Sequence, residues 1–319
     1  MMAIQQHRLS LERIQRATAI IDRVFLNSPQ IITEQLGELF GCRMILKIET
    51  LNPIKSFKGR GSDLLAAGLQ KSARVMCASA GNFGQAMAWS CRKRGIPISI
   101  VAAATANAYK IERMRALGAD ITLYGDDFDA AKMEARRRAE AGGFRFVEDS
   151  ADIETLEGAG TIALELLQFP MRFDTVLVAL GNGALFNGMA YVIKSLCPAT
   201  KMIAVQSEGA PAMVESYRSG RMVVYEKTST IADGIAVRIP VQQALKDMEG
   251  LADDTILVSE AAILHAMKLL PQHAGLVAEP SGAVGVAAML ENRELFKGKT
   301  VATIICGANL TAEQVERWL

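Results

Sequence analysis

Short apolar runs alternate with longer segments of helical pattern along most of the chain. Residues 74–78 form one such run, which leads through the turn Ser79-Ala80-Gly81-Asn82 into a helical pattern over residues 83–94. The other runs, each followed by a loop and then by a helix or the chain end, are residues 96–102, 119–124, 175–180, 201–206 and 300–305. Apolar strands that alternate with helices are typical of parallel sheets covered by helices on both faces. The pattern predicts an α/β fold with doubly wound sheets, which bind ligands at the carboxyl ends of their strands.

The predicted strands fall into two groups, one between about residues 51 and 146 and one from about residue 175 onward. No proline-rich or Gly/Ser-rich linker separates two independent domains. The grouping therefore predicts two lobes. A small lobe of residues 51–146 is inserted into a large lobe built from residues 1–50 and 147–319.

Composition excludes several classes of function. The chain has 319 residues, of which 22% are charged, and a formal net charge of +1, so no overall field attracts nucleic acid or an anionic membrane. Residues 1–14 lack the apolar segment of a signal peptide, and no window approaches the roughly 20 apolar residues of a membrane span. The five cysteines show no CxxC spacing, which favours free thiols in a reducing cytoplasm. The three histidines form no ligand pair, so no metal site is expected.

One lysine and three glycine/asparagine turns are the candidates for chemistry. Lys58 stands in the segment Ser56-Phe57-Lys58-Gly59-Arg60-Gly61, at a predicted helix start. The turns are Ser79-Ala80-Gly81-Asn82, Gly181-Asn182-Gly183-Ala184 and Cys306-Gly307-Ala308-Asn309. Each has an ordinary reading when taken alone: a solvated lysine, a tight turn or a buried thiol. Together they are what an enzyme needs to hold an aldehyde cofactor that carries a phosphate, because a lysine amine forms the imine and backbone N–H groups bind the phosphate.

With these residues the chain resembles the fold-type II pyridoxal-phosphate enzymes, the group related to the tryptophan synthase β-subunit. Within this group it is most similar to the threonine/serine dehydratase and serine racemase branch. The resemblance runs from Ile14 to about Thr311. Besides the lysine segment and the three turns, its marks are Lys47-Ile48-Glu49, Glu157-Gly158-Ala159-Gly160-Thr161, Thr230-Ile231-Ala232-Asp233-Gly234 and Glu279-Pro280-Ser281-Gly282-Ala283.

The resemblance implies a role for each site residue. Lys58 would be the catalytic residue, which forms the imine with pyridoxal 5'-phosphate and then takes the α-proton of the substrate. Phe57 would pack against the pyridine ring, and Cys306 would meet its nitrogen. Asn82 would hydrogen-bond the phenolic oxygen of the cofactor. The substrate would be bound by Ser79, Ala80, Gly81 and Asn82, and the phosphate by Gly181, Asn182, Gly183, Ala184 and Leu185.

The chain departs from the pattern of its branch at several positions. Residue 80 is alanine, where racemases carry the serine that acts on the opposite face of the α-carbon. Phe83 stands where many relatives have histidine, and Cys306 where serine is usual. The phosphate turn is Gly-Asn-Gly-Ala instead of four glycines. The positions of the carboxylates that bind a divalent cation in some relatives are Gln206, Ala210 and Ala212, so no metal is expected. Without the serine at position 80, dehydration is favoured over racemisation.

The resemblance therefore implies a cytoplasmic homodimeric lyase that eliminates water from an amino acid of the L-threonine or L-serine type, giving a 2-keto acid and ammonia. A dehydratase for hydroxyaspartate or a hydroxyectoine-derived amino acid is an alternative, with Lys55, Lys110 and Lys132 as candidates to bind an extra carboxylate. β-Replacement, as in cysteine synthase, is another. A cofactor-free nucleotide-binding or interaction protein and an inert cofactor carrier are alternatives of a different class.

Overall fold

The computed structural model describes residues 7–319 and contains two sheets flanked by helices. Residues 1–6 lie outside the described residues. They include the start of the predicted large lobe and part of the N-terminal segment that lacks signal-peptide character. The strands are β1 (Gln30–Ile32), β2 (Arg43–Ile48), β3 (Val75–Ala78), β4 (Ile98–Ala102), β5 (Asp120–Leu123), β6 (Arg145–Phe146), β7 (Thr175–Ala179), β8 (Lys201–Ser207), β9 (Asp254–Val258) and β10 (Thr300–Ile305).

Helices connect most of these strands and cover the sheets. They are α1 (Leu11–Ala17), α2 (Glu34–Phe40), α3 (Lys58–Ala67), α4 (Asn82–Arg94), α5 (Ala108–Ala116), α6 (Phe128–Gly142), α7 (Ile153–Leu166), α8 (Ala184–Leu196), α9 (Ala212–Ser219), α10 (Gln242–Met248), α11 (Glu260–Ala274), α12 (Pro280–Glu291), α13 (Arg293–Phe296) and α14 (Ala312–Trp318). Two 3₁₀ turns lie at Arg23–Phe25 and Asp233–Ile235. None of the helices in residues 7–319 has the length and apolar character needed to cross a membrane.

The larger sheet has the order β1-β2-β10-β7-β8-β9 and the smaller one β5-β4-β3-β6. All neighbours are parallel except β1 and β2, which are antiparallel. Residues 33–42, which connect β1 and β2, are fewer than the dozen or so that a parallel crossover needs, so the edge strand runs the other way. The predicted α/β class with parallel, helix-covered sheets is confirmed.

Central strands are buried along most of their length, as expected of parallel strands covered on both faces. Every residue of β7 is buried, and so is every residue of β3. The small sheet is built from residues within 75–146 and the larger one from residues on either side. The division into lobes at residues 51 and 147 stays a prediction.

A buried ion cluster joins α3 to the larger sheet. Arg60 is fully buried, and its guanidinium donates to both oxygens of Glu49 at 2.8 Å and to Glu165 at 2.6 Å and 2.8 Å. Lys47 Nζ donates to the same Glu165 carboxylate at 2.6 Å. Burial opposes the charge on Glu165, but Arg60 and Lys47 hold the pKa of this carboxyl below its ordinary value. Glu165 therefore favours its ionised form, and the cluster fixes the helix that begins at Lys58.

Close backbone contact with α7 adds to this restraint. A Cβ on Gly158 would lie 2.5 Å from the Cα of Gly61, and one on Gly61 would lie 2.7 Å from the backbone of Thr155. Any larger side chain at either glycine would push the two helices apart. Helix α3, and with it Lys58, is held both by the ion cluster and by close backbone packing against α7.

Replacement of Arg60 by methionine is expected to destabilise the protein by about 3–5 kcal/mol, since it leaves two buried carboxylates with only Lys47 as counter-ion. Urea unfolding followed by circular dichroism measures the change. Arg115→Met is the matched control, because Arg115 pairs with Glu112 on the surface and such a pair contributes at most about 1 kcal/mol. Equal effects of the two substitutions would refute a structural role for the cluster.

Candidate active site

The carboxyl ends of β3, β7 and β10 border one cavity of about 530 Å³. This volume lies within the usual range for small-molecule sites. The structure brings every site residue predicted from the sequence into its wall: Phe57, Lys58, Ser79, Ala80, Gly81, Asn82, Gly181, Asn182, Gly183, Ala184, Leu185 and Cys306. The individual roles of these residues stay predictions, but their assembly in one place is a property of the fold.

Lys58 is the first residue of α3, and its amine faces the cavity. The Ser56 hydroxyl accepts the backbone N–H of Lys58 at 3.3 Å, which holds the start of the helix. The side chain is 16% exposed, and Nζ lies 4.6 Å from the centroid of the Phe57 ring and 2.5 Å from Asp149 Oδ2. The other oxygen, Asp149 Oδ1, is buried and accepts no hydrogen bond among the described residues. The amine is thus accessible to a ligand and next to one carboxylate.

The turn after β3 presents an anion-binding helix start. Ser79 Oγ accepts the N–H of Gly81 at 3.2 Å and that of Gly84 at 2.9 Å, so the hydroxyl proton remains free to donate. Helix α4 begins at Asn82, and the partial positive charge of its N-terminus lies beside the turn. A carboxylate placed here would meet a hydroxyl donor and the first N–H groups of the helix.

The Asn82 amide is oriented by two partners. Its Nδ2 donates to Glu279 Oε1 at 2.6 Å, and its Oδ1 accepts from Asn309 Nδ2 at 2.8 Å. Glu279 Oε2 also accepts the backbone N–H of Asn309 at 2.9 Å. An amide NH₂ has two donors, so one N–H of Asn82 is left for a ligand. Burial raises the pKa of Glu279 to about 7, and the Asp233 carboxylate acts in the same direction.

The turn after β7 forms a second anion site at the start of α8. Gly183 has φ +96°, a conformation that favours glycine, and a Cβ on it would lie 2.8 Å from Asn187 Nδ2. The Ala184 N–H donates to Ser150 Oγ at 3.1 Å. The first N–H groups of a helix have no carbonyl partner within it, so those that line the cavity are available to a phosphate.

Two neutral donors lie where β10 ends. Cys306 is buried, and its thiol donates to the Ser281 carbonyl at 3.5 Å. Burial raises the pKa of Cys306 to about 12, so the thiol stays protonated at neutral pH. Ser281 Oγ is also buried and has no hydrogen-bond partner among the described residues. The Ser281 hydroxyl can therefore donate a hydrogen bond to a ligand atom, and neither group carries a full charge.

Sequence reasoning assigned no role to three side chains that line the cavity, Asp149, Glu279 and Ser281. Glu279 and Ser281 belong to a segment that the family resemblance singled out, so their presence near the site had a sequence signal. Asp149 had none. It follows a short strand in the sequence, and only the folding of the chain places it against Lys58.

Fold and site together define a class of enzyme. A lysine amine, two helix starts with unsatisfied N–H groups and uncharged side chains at a strand end, all in one cavity of a two-sheet α/β protein, are features expected of enzymes that carry a phosphorylated aldehyde cofactor on lysine. The family model described as "Pyridoxal-phosphate dependent enzyme" matches residues 21–307, and the chain belongs to this family.

Its relatives include dehydratases and a racemase. The chain is 37% identical to the L-threonine ammonia-lyase of Thermotoga maritima over 312 residues, which are 97% of this chain and 78% of that protein. The solved threonine deaminase isoform 2 of Solanum lycopersicum matches with a TM-score of 0.88 at 28% identity, covering 97% of this chain and 88% of that one. Maize serine racemase matches with a TM-score of 0.91 at 27% identity, and the match covers 97% of this chain and 96% of that one.

The residues of the cavity fit pyridoxal phosphate. The first N–H groups of α8 suit a phosphate, and the free N–H of Asn82 suits the phenolic oxygen. The unpartnered hydroxyl of Ser281 suits the ring nitrogen, and the thiol of Cys306, which donates to the Ser281 carbonyl, adds no charge at this end of the cavity. We therefore interpret the orphaned donors of this cavity as the binding groups for the cofactor.

Gly183→Ala is expected to raise the dissociation constant for pyridoxal phosphate at least about tenfold, because the new Cβ strains the backbone and displaces Asn187. Equilibrium dialysis measures this constant. Gly220→Ala is the matched control: its φ is +66°, and a Cβ there meets nothing within 4 Å. If both variants bind the cofactor as tightly as the wild type, the turn after β7 does not hold the phosphate.

The raised pKa of Glu279 makes stability depend on pH. Between pH 4.5, the ordinary value for this carboxyl, and about 7, the folded protein retains a proton there that the unfolded chain has released. The free energy of unfolding therefore falls as pH rises through this interval. Glu279→Gln removes the titration, so the variant should gain up to about 3 kcal/mol relative to the wild type over the same interval. Urea unfolding of both proteins across this pH range measures the difference, and a constant difference would contradict the assignment.

Proposed function

We propose that this protein is a pyridoxal-phosphate-dependent ammonia-lyase that removes water from a β-hydroxy amino acid of the L-threonine or L-serine type. The products are a 2-keto acid and ammonia. The observation that carries the proposal is the one-sided chemistry of the cavity wall, in which Lys58 supplies an amine while position 80 is an alanine without an acid or base. Elimination needs a proton acceptor on one face only, whereas racemisation needs a second group. The threonine ammonia-lyase and threonine deaminase among the relatives support the same choice.

Each residue has a distinct task in this proposal. Bound pyridoxal phosphate would supply the electron-withdrawing system that makes the α-hydrogen of the substrate acidic. Ser79 and the start of α4 would hold the substrate carboxylate, and thereby aim the α-hydrogen at Lys58. Lys58 Nζ would accept that proton.

The neutral donors opposite the lysine favour elimination over other outcomes. A charged partner at the ring nitrogen would draw electrons into the ring, whereas Cys306 and Ser281 would leave that nitrogen largely unprotonated. Electron density then remains near the substrate carbon atoms, where departure of the β-hydroxyl consumes it. The thiol of Cys306 suits this role because its pKa lies far above neutral pH.

A homodimer in the cytoplasm is part of the same proposal. The resemblance to the dehydratase branch supports the dimer, and the five free cysteines, Cys42, Cys77, Cys91, Cys197 and Cys306, support a reducing compartment. Light scattering on the purified protein tests the dimer. A mass equal to the 34.4 kDa of one chain would refute it.

The purified protein is expected to absorb visible light and to release keto acid and ammonia from L-threonine or L-serine. Lys58→Ala should lose the visible absorbance, resist borohydride trapping and lower turnover by about 10²–10⁴-fold or more, while it folds normally. Lys55→Ala is the control, because Lys55 is exposed and lies outside the cavity wall. An active Lys58→Ala protein, or a wild type that stays colourless with added pyridoxal phosphate, would overturn the proposal. Trapping by an added thiol, with loss of the keto acid, would instead indicate β-replacement.

A further inference from the structure

Carboxyl groups outnumber amines among the side chains that line the cavity. Its lining contains the carboxylates of Asp126, Asp127, Glu148, Asp149, Asp233 and Glu279, and the amines of Lys58, Lys110 and Lys132. Each of the three amines already pairs with a carboxylate: Lys58 with Asp149, Lys110 with Asp233 and Lys132 with Glu148.

Within the described residues, nothing therefore supports the expectation that Lys55, Lys110 or Lys132 binds an extra carboxylate of the substrate. Lys110 and Lys132 are engaged by carboxylates, and Lys55 does not line the cavity. An anionic side chain such as that of hydroxyaspartate would find no unpaired lysine amine in this wall, and it would approach carboxylates of its own sign. A side chain that brings positive charge would meet the opposite sign.

Asp149 depends on a single partner. Lys58 Nζ, at 2.5 Å from Oδ2, is the one group that donates to this side chain within residues 7–319, and Oδ1 has no partner. The carboxyl is 23% exposed on the cavity wall, so a ligand can reach it. Once Lys58 is bonded to the cofactor, its nitrogen keeps at most one of three N–H donors. The carboxylate is then left without adequate compensation in a largely buried place, which is costly.

We propose that the substrate is a β-hydroxy amino acid whose side chain ends in an ammonium group, and that Asp149 binds this group. The inference rests on the proposed function, because it uses the same cavity and assigns Lys58 to the cofactor. The ammonium would supply the positive charge that Asp149 lacks while Lys58 is a neutral amine ready to accept the α-proton. Asp149 is thereby a specificity-determining residue, and neutral substrates such as threonine leave it unpaired.

Binding of analogues that lack the β-hydroxyl tests this without relying on turnover. L-2,4-diaminobutyrate carries the second amine, and L-2-aminobutyrate has the same carbon chain without it. Both are titrated into the pyridoxal-phosphate-loaded enzyme, with the change in visible absorbance as readout. The diamino acid is expected to bind at least about tenfold more tightly, the usual contribution of a charge-assisted hydrogen bond. Correspondingly, 2,4-diamino-3-hydroxybutyrate should exceed threonine in kcat/KM by at least about tenfold.

Asp149→Asn keeps the shape of the side chain and removes its charge, so it should abolish the preference for the diamino acid. Asp126→Asn is the matched control, since it removes the same charge from an exposed position of the same wall and should preserve the preference. Equal affinities of the wild type for the two analogues would overturn the inference, and so would an equal loss for both analogues in Asp149→Asn. In either case a cofactor-loaded enzyme that converts threonine leaves the proposed function intact, whereas an enzyme that takes up no cofactor overturns both.

Discussion

The burial of Arg60 among Glu49 and Glu165 is the interaction on which the position of the candidate active site depends. A guanidinium with no exposed surface must keep its carboxylate partners, and these come from the end of β2 and from α7. Since Lys58 precedes Arg60 by two residues in the same helix, the ion cluster also sets where the reactive amine stands. The glycine contact between Gly61 and Gly158 allows the helices to approach closely enough for these bonds to form.

The side chains at one end of the cavity are uncharged, whereas those along another part of its wall are charged. At the neutral end, Cys306 and Ser281 offer donors without charge. The charged wall carries Asp149 beside the lysine and Asp233 at a partly exposed position. Between them, Glu279 and Asn309 hold Asn82 in one orientation, because each atom of that amide has an assigned partner. Members of this family include dehydratases and a racemase, and residues outside the shared motifs, such as Asp149, can therefore determine substrate specificity.

Prediction from the sequence succeeded where the signal was local or repeated. Apolar runs followed by turns placed six of the parallel strands, β3, β4, β5, β7, β8 and β10, because a strand buried on both faces admits few polar residues. The parallel strands β2, β6 and β9 were not among the predicted runs. The sequence did not predict the direction of β1, which is antiparallel because its connection to β2 is short. Nor did it predict the ion pairs of Lys110 and Lys132, whose carboxylate partners lie 123 and 16 residues further along the chain.

By itself the sequence determined the α/β class, the residues that gather at the strand ends and, through its motifs, the family. These follow from short-range rules, since burial dictates apolar runs and a phosphate cradle demands small residues at a helix start. Only the tertiary structure decided which charges neutralise one another. The pairing of Asp149 with Lys58 joins residues 91 positions apart, and the orientation of Asn82 by Glu279 joins residues 197 apart. Electrostatic energy depends on distance in space and on burial, and neither can be read from spacing along the chain.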